Sequence, residues 1–124
     1  MIEESYVSFD TARMLKEAGF DVPCNSYYEL EDGEVVRKDS IGSSDYNAYE
    51  DTVCSRPTQA LAARWLREEH HIFIMLTPVI KGWMYDLFDL KKHQYILCNE
   101  DAMTESYEAA FETALREAIK LVKK

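Results

Sequence analysis

Residues 58–91 constrain the fold more than any other part of the chain. Residues 58–69 carry apolar side chains at helical spacing, and residues 72–76 form an apolar run. A turn at Lys81-Gly82 separates this run from a second one at residues 83–90. A helix followed by a hairpin, with another helix at the C-terminal end, is typical of a small α+β domain with an antiparallel sheet. The pattern indicates an architecture, but it contains no recognisable catalytic motif.

The size and composition of the chain predict one globular domain covering residues 1–124. A chain of 124 residues buries a core without disulfides or a structural metal. Its hydrophobic fraction of 47% and charged fraction of 30% are ordinary for a folded protein and unlike those of a disordered one.

The net charge argues against two classes of partner, although a local basic patch is compatible with it. A formal charge of −9 argues against nucleic acid and against anionic membranes, because both require a cationic surface. The sequence also has no apolar window of about 18 residues, the length that a membrane-spanning helix needs. We therefore expect neither a nucleic-acid partner nor a membrane partner.

The cysteines and the N-terminal residues predict a cytoplasmic protein. Cys24, Cys54 and Cys98 are odd in number and widely spaced, which fits free thiols in a reducing compartment. The first residues are acidic and lack the apolar stretch of a signal peptide.

The N-terminal third predicts a helix and a hairpin. Residues 9–18 form a short helical pattern with Ser8 as its N-cap and Gly19 at its end. Residues 25–30 and 34–38 are two β-prone runs joined by a turn that contains Asp32-Gly33, a strong local hairpin signal.

Residues 39–56 show no periodicity and are predicted to be an acidic loop. The segment is rich in turn-forming residues and contains Tyr46 and Tyr49. Between residues 29 and 51 there are eight acidic residues and two cationic ones, so this region carries −6 of the total charge. Loops of this length in small domains are usually functional or mobile.

The last helix is predicted to begin after Thr104 as its N-cap. Its expected apolar face has regular helical spacing and consists of Tyr107, Phe111, Ala114, Ala118 and Leu121. About 19 residues at about 1.5 Å each give a length of about 28 Å, enough to cross a four-stranded sheet. The expected order is α-β-β-α-β-β-α, with an antiparallel sheet of about four strands covered by helices.

The central hairpin is apolar on both of its faces. Alternation places Ile72, Ile74 and Leu76 on the face that we assign to the core. The opposite face would carry four large apolar side chains, namely Phe73, Met75, Met84 and Phe88. Either helices cover both faces, or the 39–56 loop folds across with its tyrosines, or the face binds a partner. The simplest partner is a second copy of the chain in a homodimer.

A search for catalytic and metal-binding patterns identifies no catalytic residue, no metal site and no cofactor. The four glycines form no phosphate-binding loop. His70 and His71 are adjacent, so their side chains diverge in either a helix or a strand and do not share a metal. No cysteine is followed or preceded by a pattern that supplies a catalytic histidine. We expect a protein that is not an enzyme.

Tyr46 and Tyr49 suggest a second kind of site. They lie close in sequence to Arg56 and to the amides that open the second helix. Tyrosines beside a helix N-terminus and an arginine suit a small nucleotide-like ligand. We therefore name Tyr46, Tyr49 and Arg56 as candidate ligand-binding residues.

Three stretches of the chain resemble a known group of proteins. They run from Val7-Ser8-Phe9-Asp10-Thr11-Ala12 to Pro23, from Pro57-Thr58-Gln59 through Trp65-Leu66-Arg67-Glu68 to His70, and over Ser106-Tyr107-Glu108-Ala109-Ala110. In these stretches the chain resembles small uncharacterised proteins encoded by phages, prophages and mobile elements of gut bacteria. The resemblance implies a shared fold but assigns no catalytic residue. In that group polar residues are common where Phe73 and Met75 stand here.

These observations favour a non-enzymatic binding protein of phage or mobile-element origin, which acts through protein–protein contact. Its partner is either another protein or a second copy of itself. The alternative is a protein that binds or sequesters a small nucleotide-like ligand.

Overall fold

The computed structural model describes residues 2–104 and 106–122, with residues 98–104 described by their backbone alone. Three helices and six strands make up the described chain. In order they are α1 (Phe9–Glu17), β1 (Cys24–Glu31), β2 (Glu34–Ser44), β3 (Val53–Ser55), α2 (Gln59–His70), β4 (Ile72–Val79), β5 (Gly82–Asp89), β6 (Gln94–Thr104) and α3 (Tyr107–Ile119). A 3₁₀ helix, Tyr46–Ala48, lies between β2 and β3. The α+β class predicted from the sequence is confirmed.

The strands form two antiparallel sheets. The first has the order β2-β1-β3 and the second the order β4-β5-β6. The expectation of one sheet with about four strands is wrong, because each predicted hairpin gains a third strand. The strand β3 has only three residues, too few to show a period of two, and β6 mixes apolar and acidic residues at irregular spacing.

The first hairpin turns at Asp32 and Gly33 as predicted. Both residues have positive φ, 52° and 82°, which suits the two-residue turns that join antiparallel strands. The strand β2 continues to Ser44 and pairs along β1 across an irregularity between Cys24 and Ser26. Much of the predicted 39–56 loop is therefore strand. Because β2 is an edge strand with mostly exposed side chains, it has no buried face to impose an apolar period.

The helices pack against the two sheets and supply most of the core residues. In α1 the Ser8 side chain accepts a hydrogen bond from the Thr11 amide, so the predicted N-cap is confirmed. The helix α3 packs against β4, β5 and β6, and it thus crosses the second sheet, whose central strand is β5, as predicted. It also contacts α1 and α2.

The start of α3 and part of its buried face differ from the prediction, while the predicted Ala114 and Ala118 are buried. The helix begins after Ser106, whose side chain accepts from the Ala109 amide, while Thr104 ends β6. Its 13 residues span about 20 Å at about 1.5 Å per residue. Tyr107 and Leu121 are 40% and 43% exposed. The buried positions are Ala110, Ala114, Leu115, Ala118 and Ile119. Three of these are alanines, which permit close approach to the sheet and to α1.

A partly buried carboxylate joins the three helices. The side chain of Glu112 in α3 accepts hydrogen bonds from the Ser8 amide at 2.9 Å and from Nε2 of Gln59 at 3.0 Å. Ser8 caps α1 and Gln59 begins α2. Burial raises the pKa of Glu112, but hydrogen bonds from Thr11, Gln59 and Ser8 outweigh that effect, so its pKa lies below the ordinary value.

Candidate functional site

The inner face of the second sheet carries the side chains that the alternation predicted. Ile72, Tyr85 and Leu87 are buried in the core formed with the helices. Ile74 and Leu76 are partly buried and pack against the same core. The strand period of two then sends the intervening side chains to the opposite face.

That opposite face is called the outer face here. It is formed by Phe73, Met75, Thr77, Met84, Asp86, Phe88 and Tyr95. Phe73 lies directly across from Phe88, and the Phe88 ring meets the Tyr95 ring edge to face at 5.3 Å between centroids. Phe73 is 38% exposed and Tyr95 is 54% exposed. The four apolar residues named from the sequence therefore share one surface with a fifth, Tyr95.

The sequence left open that helices or the 39–56 loop cover the outer face. Among the residues that the structure describes, neither the helices nor that segment covers it. The helices α2 and α3 pack on the inner face. The segment 39–56 belongs to the first sheet, where the Tyr46 ring stacks on Tyr27 of β1. Asp86 lies opposite Met75 in the β4–β5 ladder, and its carboxylate forms no ion pair with any described residue. The outer face is thus mostly apolar, and its polar side chains are Thr77 and an Asp86 carboxylate without an ion pair in the described structure.

A cavity of about 540 Å³ lies against the first sheet and is called the tyrosine cavity here. It is lined by Tyr27, Glu29, Tyr46, Tyr49, Glu50 and Val53. The rings of Tyr27 and Tyr46 are stacked with centroids 4.3 Å apart and planes at 27°. The rings of Tyr46 and Tyr49 meet edge to face at 5.6 Å. The structure therefore brings together two of the three predicted ligand-binding residues and adds Tyr27 to them.

Hydrogen bonds hold the wall of the tyrosine cavity in place. The Tyr46 hydroxyl bonds with Ser40, and the Tyr49 hydroxyl lies 3.1 Å from Oγ of Ser44. Asn47 donates from Nδ2 to the Phe20 carbonyl oxygen and accepts from the Ser55 amide, each at 2.9 Å.

The cavity is acidic. The Glu29 carboxylate is paired with Nζ of Lys38 at 2.7 Å, and that ammonium also contacts Glu31 at 2.5 Å. The Glu50 carboxylate has no ion pair with a described residue. Lys16 donates to the carbonyl oxygens of Glu50 and Val53 at 2.7 and 2.6 Å, and it lines a separate cavity beside α1.

Arg56 lies away from the tyrosine cavity. Its guanidinium sits 3.9 Å from the centroid of the Tyr6 ring and donates to the Ser26 hydroxyl at 3.0 Å and the Tyr28 hydroxyl at 3.3 Å. The nearest carboxylate oxygen, on Asp39, is 4.0 Å away, and the Arg56 side chain is 11% exposed. Its hydrogen bonds tie β1 to the segment between β3 and α2, and its guanidinium contacts the Tyr6 ring before α1. The predicted grouping of Arg56 with Tyr46 and Tyr49 is therefore absent.

Several residues of these sites were not predicted from the sequence, among them Tyr27, Glu29, Glu50, Asp86 and Tyr95. Tyr27 and Glu29 are two residues apart on β1, so their side chains face the same side of the sheet. The sequence shows this spacing, but it does not show that Tyr46 lies beside these residues. Tyr95 was missed because residues 94–104 were not recognised as a strand. That strand carries a register shift beside Phe88, which interrupts its alternation.

The thiols described are poor nucleophiles. Cys24 and Cys54 are buried and free, and burial raises the pKa of each to about 11. The side chain of Cys98 lies outside the described part of the chain. Among the described residues, no three His, Cys, Asp or Glu side chains are arranged to hold a metal ion.

No described helix has the length and apolar character needed to cross a membrane. Comparisons of the chain with protein-family models, with curated proteins and with solved structures found no match.

Proposed function

We propose that this chain is a binding protein that acts through contact between its outer face and another protein. The observation that carries the proposal is the cluster of five large apolar side chains on a sheet face that neither the described helices nor the 39–56 segment covers, beside an Asp86 carboxylate without an ion pair to a described residue. The resemblance to small phage and mobile-element proteins supports an origin of that kind.

The apolar character of the outer face is unusual for a surface in water. An antiparallel sheet with one covered face normally carries polar side chains on the other. A contiguous apolar patch on a sheet marks an interaction surface more often than an ordinary solvated one. Phe73, Phe88 and Tyr95 are aromatic, the residue class enriched at protein interfaces.

The dimensions of the outer face favour a short partner segment. Strands of eight residues are about 27 Å long, and three of them are about 14 Å wide. The projected area of about 380 Å² is roughly half of what one partner buries in a stable protein–protein complex. An amphipathic helix of about 18 residues, about 27 Å long and about 10 Å wide, matches the face.

The charge of Asp86 and the net charge of the chain both favour a partner segment that carries positive charge. Asp86 lies in the central strand, so two copies stacked on this face around a two-fold axis would bring like charges together. A partner helix with a lysine or arginine among its apolar residues would instead pair with Asp86. The net charge of −9 also favours encounter with a cationic segment.

The first test separates self-association from binding to another protein. Light scattering on the purified chain and on the Phe73→Ser/Met75→Ser variant measures their masses. We expect a monomeric mass for both. A dimer that dissociates in the variant would overturn the proposal in favour of a homodimer.

The second test looks for the partner directly. A photo-reactive phenylalanine analogue at position 73 would be irradiated in source cells, with the same analogue at Ile41, an exposed residue of β2, as the control. We expect an adduct at 73 only, mapped to a basic amphipathic helix.

A synthetic peptide of the mapped segment would then be titrated with the purified chain. Its affinity should fall about tenfold with Asp86→Lys, because an attractive pair becomes repulsive. Equal labelling at both positions, or an affinity that Asp86→Lys leaves unchanged, would refute the proposal.

A further inference from the structure

We infer that the tyrosine cavity is a binding site for an organic ammonium cation, the chemical group of a quaternary amine or an alkylated lysine side chain. The site lies on the first sheet and is independent of the outer face. The inference goes beyond the proposed function, because it assigns a second ligand of different chemistry.

The aromatic lining supplies the first part of the recognition. Tyr27, Tyr46 and Tyr49 form one continuous cluster, with Tyr46 in the middle contacting both of the others. The face of a tyrosine ring carries negative electrostatic potential and attracts a cation within about 6 Å of its centroid. Alkyl groups on the cation weaken its hydration and add apolar contact with the rings, so an alkylated ammonium suits the site better than a bare one.

The charged residues supply the second part. Among the described lining residues the ionisable groups other than tyrosine are Glu29 and Glu50, so no described cation lines the cavity. Lys38 is already bound by Glu29 and Glu31, while the Glu50 carboxylate has no ion pair in the described structure. An anionic nucleotide would be repelled by the Glu50 carboxylate here, whereas a cation would be attracted by it.

The volume of the cavity and its hydrogen-bonded wall also suit an organic ammonium ligand. A volume of about 540 Å³ falls within the range of small-molecule sites and accommodates a trimethylammonium group together with the chain that carries it. The hydrogen bonds of Asn47, of Lys16 and of the two tyrosine hydroxyls fix the wall before any ligand arrives. A wall fixed in advance lowers the entropy lost on binding.

The test compares choline with 3,3-dimethylbutan-1-ol, a neutral molecule of the same shape, by NMR titration of the isotope-labelled chain. We expect choline to shift the amides of residues 46–53 with a dissociation constant of about 0.1–1 mM. The neutral molecule should bind at least about tenfold more weakly, because it lacks the charge that the rings and carboxylates recognise. Equal binding of the two, or no shift with choline at about 10 mM, would overturn the inference.

Variants at exposed positions locate the site without disturbing the fold. Tyr49 is 57% exposed, and Tyr49→Leu should weaken choline binding about fivefold, whereas Tyr49→Phe should restore it by keeping the ring face. Glu50→Gln should weaken binding about threefold, and more strongly at low salt. The matched control is Tyr107→Leu, an exposed tyrosine at the start of α3 and outside both proposed sites, which should leave choline binding unchanged. Losses of equal size in Tyr49→Leu and Tyr107→Leu would refute the assignment.

A further pair of ligands distinguishes the sources of the cation. A short peptide with a trimethylated lysine and the same peptide with an unmodified lysine would be titrated under the same conditions. Tighter binding of the methylated peptide than of choline identifies a protein side chain as the natural ligand, whereas tighter binding of choline identifies a free small molecule. Failure of every ammonium ligand to bind would remove the site.

Discussion

Replacement of Glu112 by glutamine tests how the three helices are held together. The carboxylate accepts one hydrogen bond from the Ser8 amide and one from the Gln59 side chain. Hydrogen bonds to a charged acceptor contribute about 1.5–3 kcal/mol each, and those to a neutral one about 0.5–1.5 kcal/mol. Glu112→Gln keeps the shape but loses the charge, and its amide nitrogen faces a donor. Because the group is only partly buried, we expect a loss of about 1–2 kcal/mol, equivalent to about 4–8 °C in Tm.

The pH dependence of that loss makes the prediction specific. The pKa of Glu112 lies below its ordinary value of 4.5, so the folded state favours the ionised form. The stabilisation is therefore complete above pH 4.5 and is lost as the pH falls through the lower pKa of the folded state. Urea unfolding of both proteins between about pH 3 and 7 should show a gap that closes towards acid.

A matched control is Glu117→Gln, since Glu117 lies on the same helix and forms only a surface pair with Lys120. Its effect at pH 7 should stay below about 1 kcal/mol, because the pair is exposed to solvent. Other carboxylates with lowered pKa, Glu31 and Asp89, are present in both proteins and cancel in the difference. A Glu112→Gln gap that is absent at pH 7, or constant down to acid, would refute the role assigned to this carboxylate.

Two other changes follow from the described contacts. Arg56→Met keeps an apolar stem but removes the hydrogen bonds to Ser26 and Tyr28. It should therefore lower the unfolding free energy measured in urea by about 2–3 kcal/mol. An unchanged unfolding free energy would refute the structural role of Arg56. Cys24 and Cys54, whose thiol pKa is raised to about 11 by burial, should react with a thiol reagent at pH 8 far more slowly in the native protein than in denaturant, as measured by peptide mapping in a Cys98→Ser variant. Rapid native labelling at either position would contradict their burial.

Local signals predicted the elements that close within a few residues. Ser8 and Gly19 bound α1, and Asp32-Gly33 turns the first hairpin, because caps and tight turns depend on the chemistry of one or two residues. The alternation of side chains in β4 and β5 likewise predicted the outer face from local sequence. A buried sheet face leaves a period of two in the sequence, whatever lies beyond it.

The features that were missed depend on contacts between distant segments. The strand β3 exists because Val53–Ser55 pairs with β1, and no local preference of three residues could show that. Arg56 was grouped with Tyr46 by its position in sequence, yet it contacts Tyr6, Ser26 and Tyr28 instead. Tyr27 joins the tyrosine cavity through a ring stacked across 19 positions of the chain. Such pairings follow from strand order, which a single sequence specifies only weakly.

The two proposed sites can be tested independently, because they lie on different sheets. One core unites the sheets through Cys24, Cys54, Ile72, Tyr85 and Leu87, together with the helices. Phe73 and Tyr49 lie outside that core and are both exposed. Changes at separated positions without shared partners have additive effects. Tyr49→Leu should therefore weaken ammonium binding and leave the outer face competent, while Phe73→Ser should do the reverse. A Phe73→Ser variant that weakened ammonium binding as well would show that the sites are coupled or that the fold is disturbed. An unchanged Tm in that variant would leave coupling through the shared core as the explanation.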